Sequence, residues 1–278
     1  MKASSLDVEN LLSQACAIAR EAGAAILEVY GTRFSTSEKA DLSPLTEADL
    51  ASHRIIQRRL RELTPGIPLL SEEGRDVPFE ERRNWSTFWL IDPLDGTKEF
   101  VKRNGEFTVN IALIQDHAPV LGVVFSPVLD TLYAGAPGIG AFVESADGGR
   151  RDIGVRWPAP EQPSVVSSRS HRDARLGRAL ERLGAHEAVA MGSSLKLCLV
   201  ADGSADLYPR LGPTSEWDTA AAHAVVCAAG GRVCDLQGQD LRYNTRESVL
   251  NPEFLVCARE PEEWLRRLGL WESGSNPA

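Results

Sequence analysis

The sequence predicts an α+β region followed by an α/β region, with residues 1–157 and 158–278 as the two parts. Two helical periodicities open the chain, and short apolar runs broken by turn residues follow them. Beyond a proline-rich break, strands and helices alternate.

Leu11, Leu12, Ala15, Ile18, Ala19, Ala22, Ile26 and Val29 recur three or four residues apart, so residues 6–30 read as an amphipathic helix closed by Gly31. Thr46 caps the second helix in this reading, with Glu47 and Asp49 in the first turn, where the helix dipole favours acids. Leu50, Ile56, Leu60 and Leu63 supply its apolar stripe, and Thr64-Pro65-Gly66 ends it. Strand-length runs come next at 67–70, 87–91, 107–114, 120–125, 131–134 and 139–143. Most are separated by Gly, Pro, Asp or Asn, as in a largely antiparallel meander.

Pro158, Pro160 and Pro163 can continue neither a helix nor a central strand, which places the boundary near residue 157. After it come a strand at 165–167, a helix at 172–183, a strand near Ala188, a helix at 195–200 and a short strand at 205–208. A helix at 217–228, a strand at 254–257 and a terminal helix at 261–268 complete the expected order.

Composition narrows the function. The 278 residues suffice for a substantial core, and 39 acidic against 30 basic side chains give a formal charge of −9. That balance argues against a nucleic-acid polymer as ligand but leaves room for a local basic pocket. Cys16, Cys198, Cys227, Cys234 and Cys257 are widely separated, mostly among Ala, Val and Leu, and read as reduced thiols of a cytoplasmic protein. Met1–Glu9 lacks the pattern of a secretion signal, and no uncharged stretch reaches the roughly 18 apolar residues that span a bilayer.

The chemistry concentrates in Trp89–Phe100. An apolar strand ends there in Asp92 and Asp95, with Pro93 stiffening the turn and Gly96 allowing close backbone approach. Both carboxylates can converge on one point, and with the Leu94 carbonyl they offer the hard oxygens that magnesium takes. Asp95, Gly96 and Thr97 frame a phosphate in this reading, because amides that start a helix point donors outward. An Asp-Pro turn with an Asx cap explains the same residues without a ligand. Glu72 and Glu73 place at least one carboxylate at another strand end, and Asp49 is reachable from the same edge. Asp218 follows Trp217 at the start of a long apolar helix, where the dipole favours an acid.

The ordered set Ser71-Glu72-Glu73, Asp92-Pro93-Leu94-Asp95-Gly96-Thr97 and Trp217-Asp218-Thr219-Ala220-Ala221 resembles the signatures of the inositol monophosphatase superfamily, magnesium-dependent and lithium-sensitive phosphatases. The resemblance runs from about residue 8 to residue 268 and implies the layered α-β-α-β-α sandwich of the sugar-phosphatase type. The strings DPLDGTKEFVKRNGEF at 92–107 and GSSLK at 192–196 resemble the bacterial 3'(2'),5'-bisphosphate nucleotidase branch. That branch hydrolyses adenosine 3',5'-bisphosphate to AMP and phosphate during sulfate assimilation.

By this resemblance Glu72, Asp92, Asp95 and Asp218 are side-chain metal ligands, the Leu94 carbonyl is another, and two or three Mg2+ ions serve turnover. Glu72 matches the family's signature glutamate and takes precedence over Glu73. Asp49 and Thr97 resemble the pair that orders and helps deprotonate the attacking water, while His171, Ser193, Lys196 and Arg210 match residues around the nucleotide. Inositol monophosphate is the alternative substrate, since the metal machinery sees little beyond the scissile phosphate, and fructose 1,6-bisphosphate is a weaker third. A catalytically silent regulatory protein fits a full ligand set least well. The expected partner is a small phosphorylated nucleotide, bound by a monomer or homodimer with no transmembrane segment; peripheral membrane association stays open.

Overall fold

The computed structural model describes residues 7–32, 42–169 and 173–271. Helix α1 (Val8–Tyr30) is capped by Asp7, whose carboxylate accepts from the Asn10 amide, and it ends at Gly31. Helix α2 (Leu42–Leu63) starts ahead of the expected Thr46 cap. Pro44 falls in its first turn, where a missing N–H costs nothing, so Glu47 and Asp49 sit further along the helix than the sequence reading put them.

The first sheet follows the expected meander through β1 (Leu69–Ser71), β2 (Thr87–Asp95), β3 (Thr108–Gln115), β4 (Ala118–Ser126), β5 (Thr131–Ala136), β6 (Gly140–Glu144) and β7 (Arg150–Ile153). These seven strands lie side by side in chain order. β1 runs parallel to β2, and each later neighbour pair is antiparallel. Short helices α3 (Phe79–Arg82) and α4 (Thr97–Val101) flank β2. Strand β7 has no counterpart in the sequence reading, because Arg150, Arg151 and Asp152 are exposed on an edge and show no apolar alternation.

The side-chain period of two splits this sheet cleanly. Trp89, Ile91, Ile111 and Leu113 face α1 and α2, which cover them with Leu12, Ile18, Ile26, Ile56 and Leu60. Phe88, Leu90, Ala112 and Ile114 face the other way, into a core shared with the second half of the chain.

That second half contains β8 (Ser164–Ser168), α5 (Ala174–Leu183), β9 (Glu187–Met191), α6 (Leu195–Ala201), β10 (Leu207–Arg210), α7 (Glu216–Ala228), β11 (Arg232–Asp235), β12 (Phe254–Cys257) and α8 (Pro261–Leu268). Its five strands lie in the order β11-β12-β10-β8-β9. β8 is parallel to β9 and β10, while β12 is antiparallel to both its neighbours. β11 is the other strand the periodicity missed, four residues between a Gly-Gly pair and a turn.

Helices α6 and α7 lie between the sheets, where Leu195, Val200, Ala221 and Val225 join Leu90 and Val124 from one sheet with Tyr208 and Val256 from the other. On the outer face α5 and α8 cover Val165, Leu207 and Leu255 with Leu183, Trp264, Leu265 and Leu268. The layers are therefore helix pair, sheet, helix pair, sheet, helix pair, the α-β-α-β-α sandwich expected of this sequence. Among the described residues no helix is long and apolar enough to cross a membrane.

Candidate active site

The ends of β1 and β2, the start of α4 and the start of α7 open onto one cavity of about 270 Å3. Asp92 and Asp95 share a face by virtue of a bulge. Asp92 pairs with Asn110 and Asp95 with Thr108, so three steps along β2 match two along β3. In a regular strand residues three apart point to opposite faces; the extra residue turns both carboxylates the same way. Pro93 lies within the irregularity, its carbonyl accepting from Ser52 Oγ at 2.8 Å, and Asp92 Oδ1 accepts from the Leu94 amide at 3.0 Å. The Leu94 side chain is packed in the α1/α2 core, while its backbone lies at the cavity wall.

Asp218 arrives from the other half of the molecule. It closes a capping box at the start of α7, accepting from the Ser215 amide at 2.9 Å, so this acid has a structural task as well. Asp92, Asp95 and Asp218 each offer a carboxylate oxygen, and these oxygens all lie within 4.8 Å of one another. Glu72 follows β1 and stands on the same wall, next to Asp92.

The electrostatics register the crowding. Burial, then the charges of Asp95, Glu72 and Asp218, push Asp92 well above the usual carboxylate range. Burial and Asp95 push Asp218 up to about 7. Asp95 is raised by burial too, but the Lys196 ammonium, the Ser194 amide and the Asn110 side chain pull it back. So many carboxylates facing one space repel each other unless cations lie among them. An all-oxygen set of this kind suits a hard divalent ion rather than a thiolate- or imidazole-seeking one.

Asp49 is buried behind Glu72 and Glu73 and does not line the cavity. Its Oδ1 has no hydrogen-bond partner, and burial together with Glu73 and Glu72 pushes it up to about 8. Gly96, at φ +98°, precedes α4, and Thr97 stands exposed on the wall. No hydrogen bond joins Thr97 to Asp49 among the described residues.

Ser193, Lys196 and Arg210 line the same cavity, where the Lys196 charge is felt at Asp95 and the Arg210 charge at Asp218. The buried Lys196 ammonium donates to the Ser193 carbonyl and lies 5.7 Å from the centre of the Tyr208 ring. Arg210 is held by the carbonyls of Gly212 at 3.2 Å and Pro213 at 2.9 Å. His171 lies outside the described residues. Glu99 and Tyr208 also line the cavity without having been expected there, and Ser168 lines it from the end of β8. Tyr208 was within reach of the sequence, since it precedes Arg210 by two on one strand and so shares its face.

The inositol monophosphatase family model matches residues 7–268. This chain belongs to the inositol monophosphatase family. Within that family it is 55% identical over 249 residues to the 3'(2'),5'-bisphosphate nucleotidase CysQ of Escherichia coli K12, covering 88% of this chain and 99% of that protein. It is 37% identical over 259 residues to the CysQ of Haemophilus influenzae, covering 92% of this chain and 96% of the relative. Among solved structures, CysQ from Bacteroides thetaiotaomicron superimposes with a TM-score of 0.79 at 44% identity, covering 90% of this chain and 98% of that one. The inositol monophosphatase of Anabaena superimposes with a TM-score of 0.74 at 25% identity, covering 96% and 97%.

Proposed function

We propose that this chain is a magnesium-dependent 3'(2'),5'-bisphosphate nucleotidase that hydrolyses adenosine 3',5'-bisphosphate to AMP and phosphate. One observation carries the reading: Asp92, Asp95 and Asp218 converge on a cavity that Lys196 and Arg210 also line. Acids and cations facing one space suit a ligand with two phosphates, one reacting among metal ions and one held by side chains. The identity to the nucleotidases named CysQ supports the nucleotide over the inositol ester.

In this reading Glu72, Asp92, Asp95 and Asp218, with the Leu94 carbonyl, hold two or three Mg2+ ions. Bound magnesium supplies charge neutralisation at the transferring phosphoryl group and a lowered pKa for coordinated water. Thr97 on the cavity wall orients the attacking water, and Asp49, set behind Glu72 and Glu73, helps take its proton through Thr97 once the two close to hydrogen-bond distance. Gly96 and Thr97 offer amides to the phosphate at the start of α4, beside Asp95. Ser193, Lys196 and Arg210, with His171, bind the nucleotide and its second phosphate. The division of labour follows the two parts of the chain: residues 1–157 bring most metal ligands, and residues 158–278 bring Asp218 and the selectivity residues. In this reading the enzyme works in the cytoplasm, in keeping with five free cysteines.

Phosphate release with magnesium, measured over a concentration series of adenosine 3',5'-bisphosphate and of inositol 1-phosphate, tests the reading. The expected result is a higher kcat/KM for the nucleotide. Equal or reversed preference replaces it with an inositol monophosphatase that uses the same metal machinery.

A further inference from the structure

The turn Gly192-Ser193-Ser194 leads into α6 and delivers Ser193 and Lys196 to the cavity wall. It is a strained turn. Ser193 takes φ +44°, in the left-handed region that a side chain disfavours, and its buried hydroxyl has no hydrogen-bond partner. Such a conformation persists where its surroundings over-determine it.

Both flanks of the turn are held by acids from the first half of the chain. Asp95 Oδ2 accepts from the Ser194 amide at 2.6 Å, and Glu106 Oε2 accepts from the Gly192 amide at 2.8 Å. Contact at Gly192 is close enough that a Cβ would lie 2.6 Å from Glu99 Cγ and 2.8 Å from the Glu106 carbonyl oxygen.

Glu106 is fixed in turn by Arg169, the residue after β8. Arg169 Nη2 and Nε donate to its two carboxylate oxygens at 2.7 and 3.1 Å, and Nη2 also donates to the Ala190 carbonyl at 2.9 Å. This two-pronged geometry is the directional form of an Arg–carboxylate pair. It spans from the loop after α4 to the ends of β8 and β9, and neither residue lines the cavity.

We propose that the Arg169–Glu106 pair is a positioning device for substrate selectivity, holding the strained turn so that Ser193 and Lys196 meet the phosphate that is not cleaved. The proposal rests on the bisphosphate reading above. Arg169 thereby acts through the turn and not as a phosphate ligand.

The test uses Glu106→Gln and Arg169→Ala, with kcat and KM for adenosine 3',5'-bisphosphate and adenosine 3'-monophosphate, which share the scissile ester and differ by the second phosphate. The unmodified chain is measured first: no preference for the bisphosphate there refutes the substrate reading, and the selectivity device with it. Given that preference, both variants are expected to raise KM for the bisphosphate about tenfold and to leave both constants for the monophosphate within about twofold. Glu106→Gln is nearly isosteric, so it keeps the test in force should Arg169→Ala fail to fold. It also leaves the Arg169 charge in place. A phosphate-binding Arg169 would be freed by Glu106→Gln and lowered in effect by Arg169→Ala, so shifts of opposite sign overturn the proposal. Equal losses on both substrates, or no change on either, overturn it as well.

Discussion

A Cβ on Gly122 of β4 would lie 2.1 Å from the carbonyl oxygen and 2.8 Å from the Cα of Ala221 in α7. Strand and helix therefore touch backbone to backbone, and Ala220, Ala221 and Ala222 keep the helix slim along this contact. The approach matters for chemistry because α7 carries Asp218 toward Asp92 and Asp95.

Gly122→Ala is expected to destabilise the chain by about 3 kcal/mol, since the obstruction is backbone and cannot rotate aside. The helix shift that relieves the clash moves Asp218, so magnesium affinity falls as well. Urea unfolding and a magnesium titration of turnover check the two effects; unchanged values in both refute the contact.

Asp218→Asn separates fold from function. An asparagine retains an oxygen for the Ser215 amide and removes one charge from a crowded site, so the metal-free melting temperature is expected to rise. Magnesium-dependent kcat is expected to fall by about 100-fold or more. Normal turnover at limiting magnesium removes Asp218 from the ligand set.

The buried acids give a pH dependence. Asp49 is pushed up to about 8, and Asp218 and Glu216 up to about 7, chiefly by burial. A carboxyl raised in this way contributes stability that is complete below its unfolded value near 4 and is lost as pH climbs through the folded value. His223, lowered by burial to about 4, has the opposite sign, but both its states are neutral by about pH 7. Between about pH 7 and 8.5 the metal-free chain is thus expected to lose about 1–2 kcal/mol. Magnesium is expected to reduce the decline, because bound cations favour the ionised ligands such as Asp218, while Glu216, held by the Asn244 amide outside the cluster, keeps its share. Thermal unfolding with chelator and with magnesium reads both; a flat metal-free profile contradicts the prediction.

Lys196→Met keeps the stem beside Tyr208 and removes the charge. KM for adenosine 3',5'-bisphosphate is expected to rise about tenfold, and more than KM for adenosine 3'-monophosphate. Equal changes on the two substrates argue against contact with the second phosphate.

Much of this architecture is legible in the sequence because local signals agree with the global fold. Helix α1 and the terminal helix α8 announce themselves by period and punctuation, and the acids stand out as an ordered set. What is illegible is long-range. Asp92 and Asp95 are three apart, a spacing that opposes them in a plain strand, and only the pairing with Asn110 and Thr108 puts them on one face. The Asp95–Ser194 and Glu106–Arg169 links join distant segments that carry no mutual signal. The edge strand β7 hides because solvent on its exposed side removes the need for apolar residues. The early start of α2 hides because proline reads as a breaker wherever it is not known to be in a first turn.

The placement of α6 and α7 between the two sheets also governs how the chain emerges during synthesis. All strands of the first sheet are made by Ile153, yet Ala112, Ile114, Val124 and Val143 gain their apolar cover from helices that end at Ala228. A nascent chain between those points displays a greasy sheet face to water, the kind of surface that captures other unfinished chains. Translation of the second half doubles as protection of the first, and slow passage through residues 154–228 is where aggregation of this polypeptide would begin.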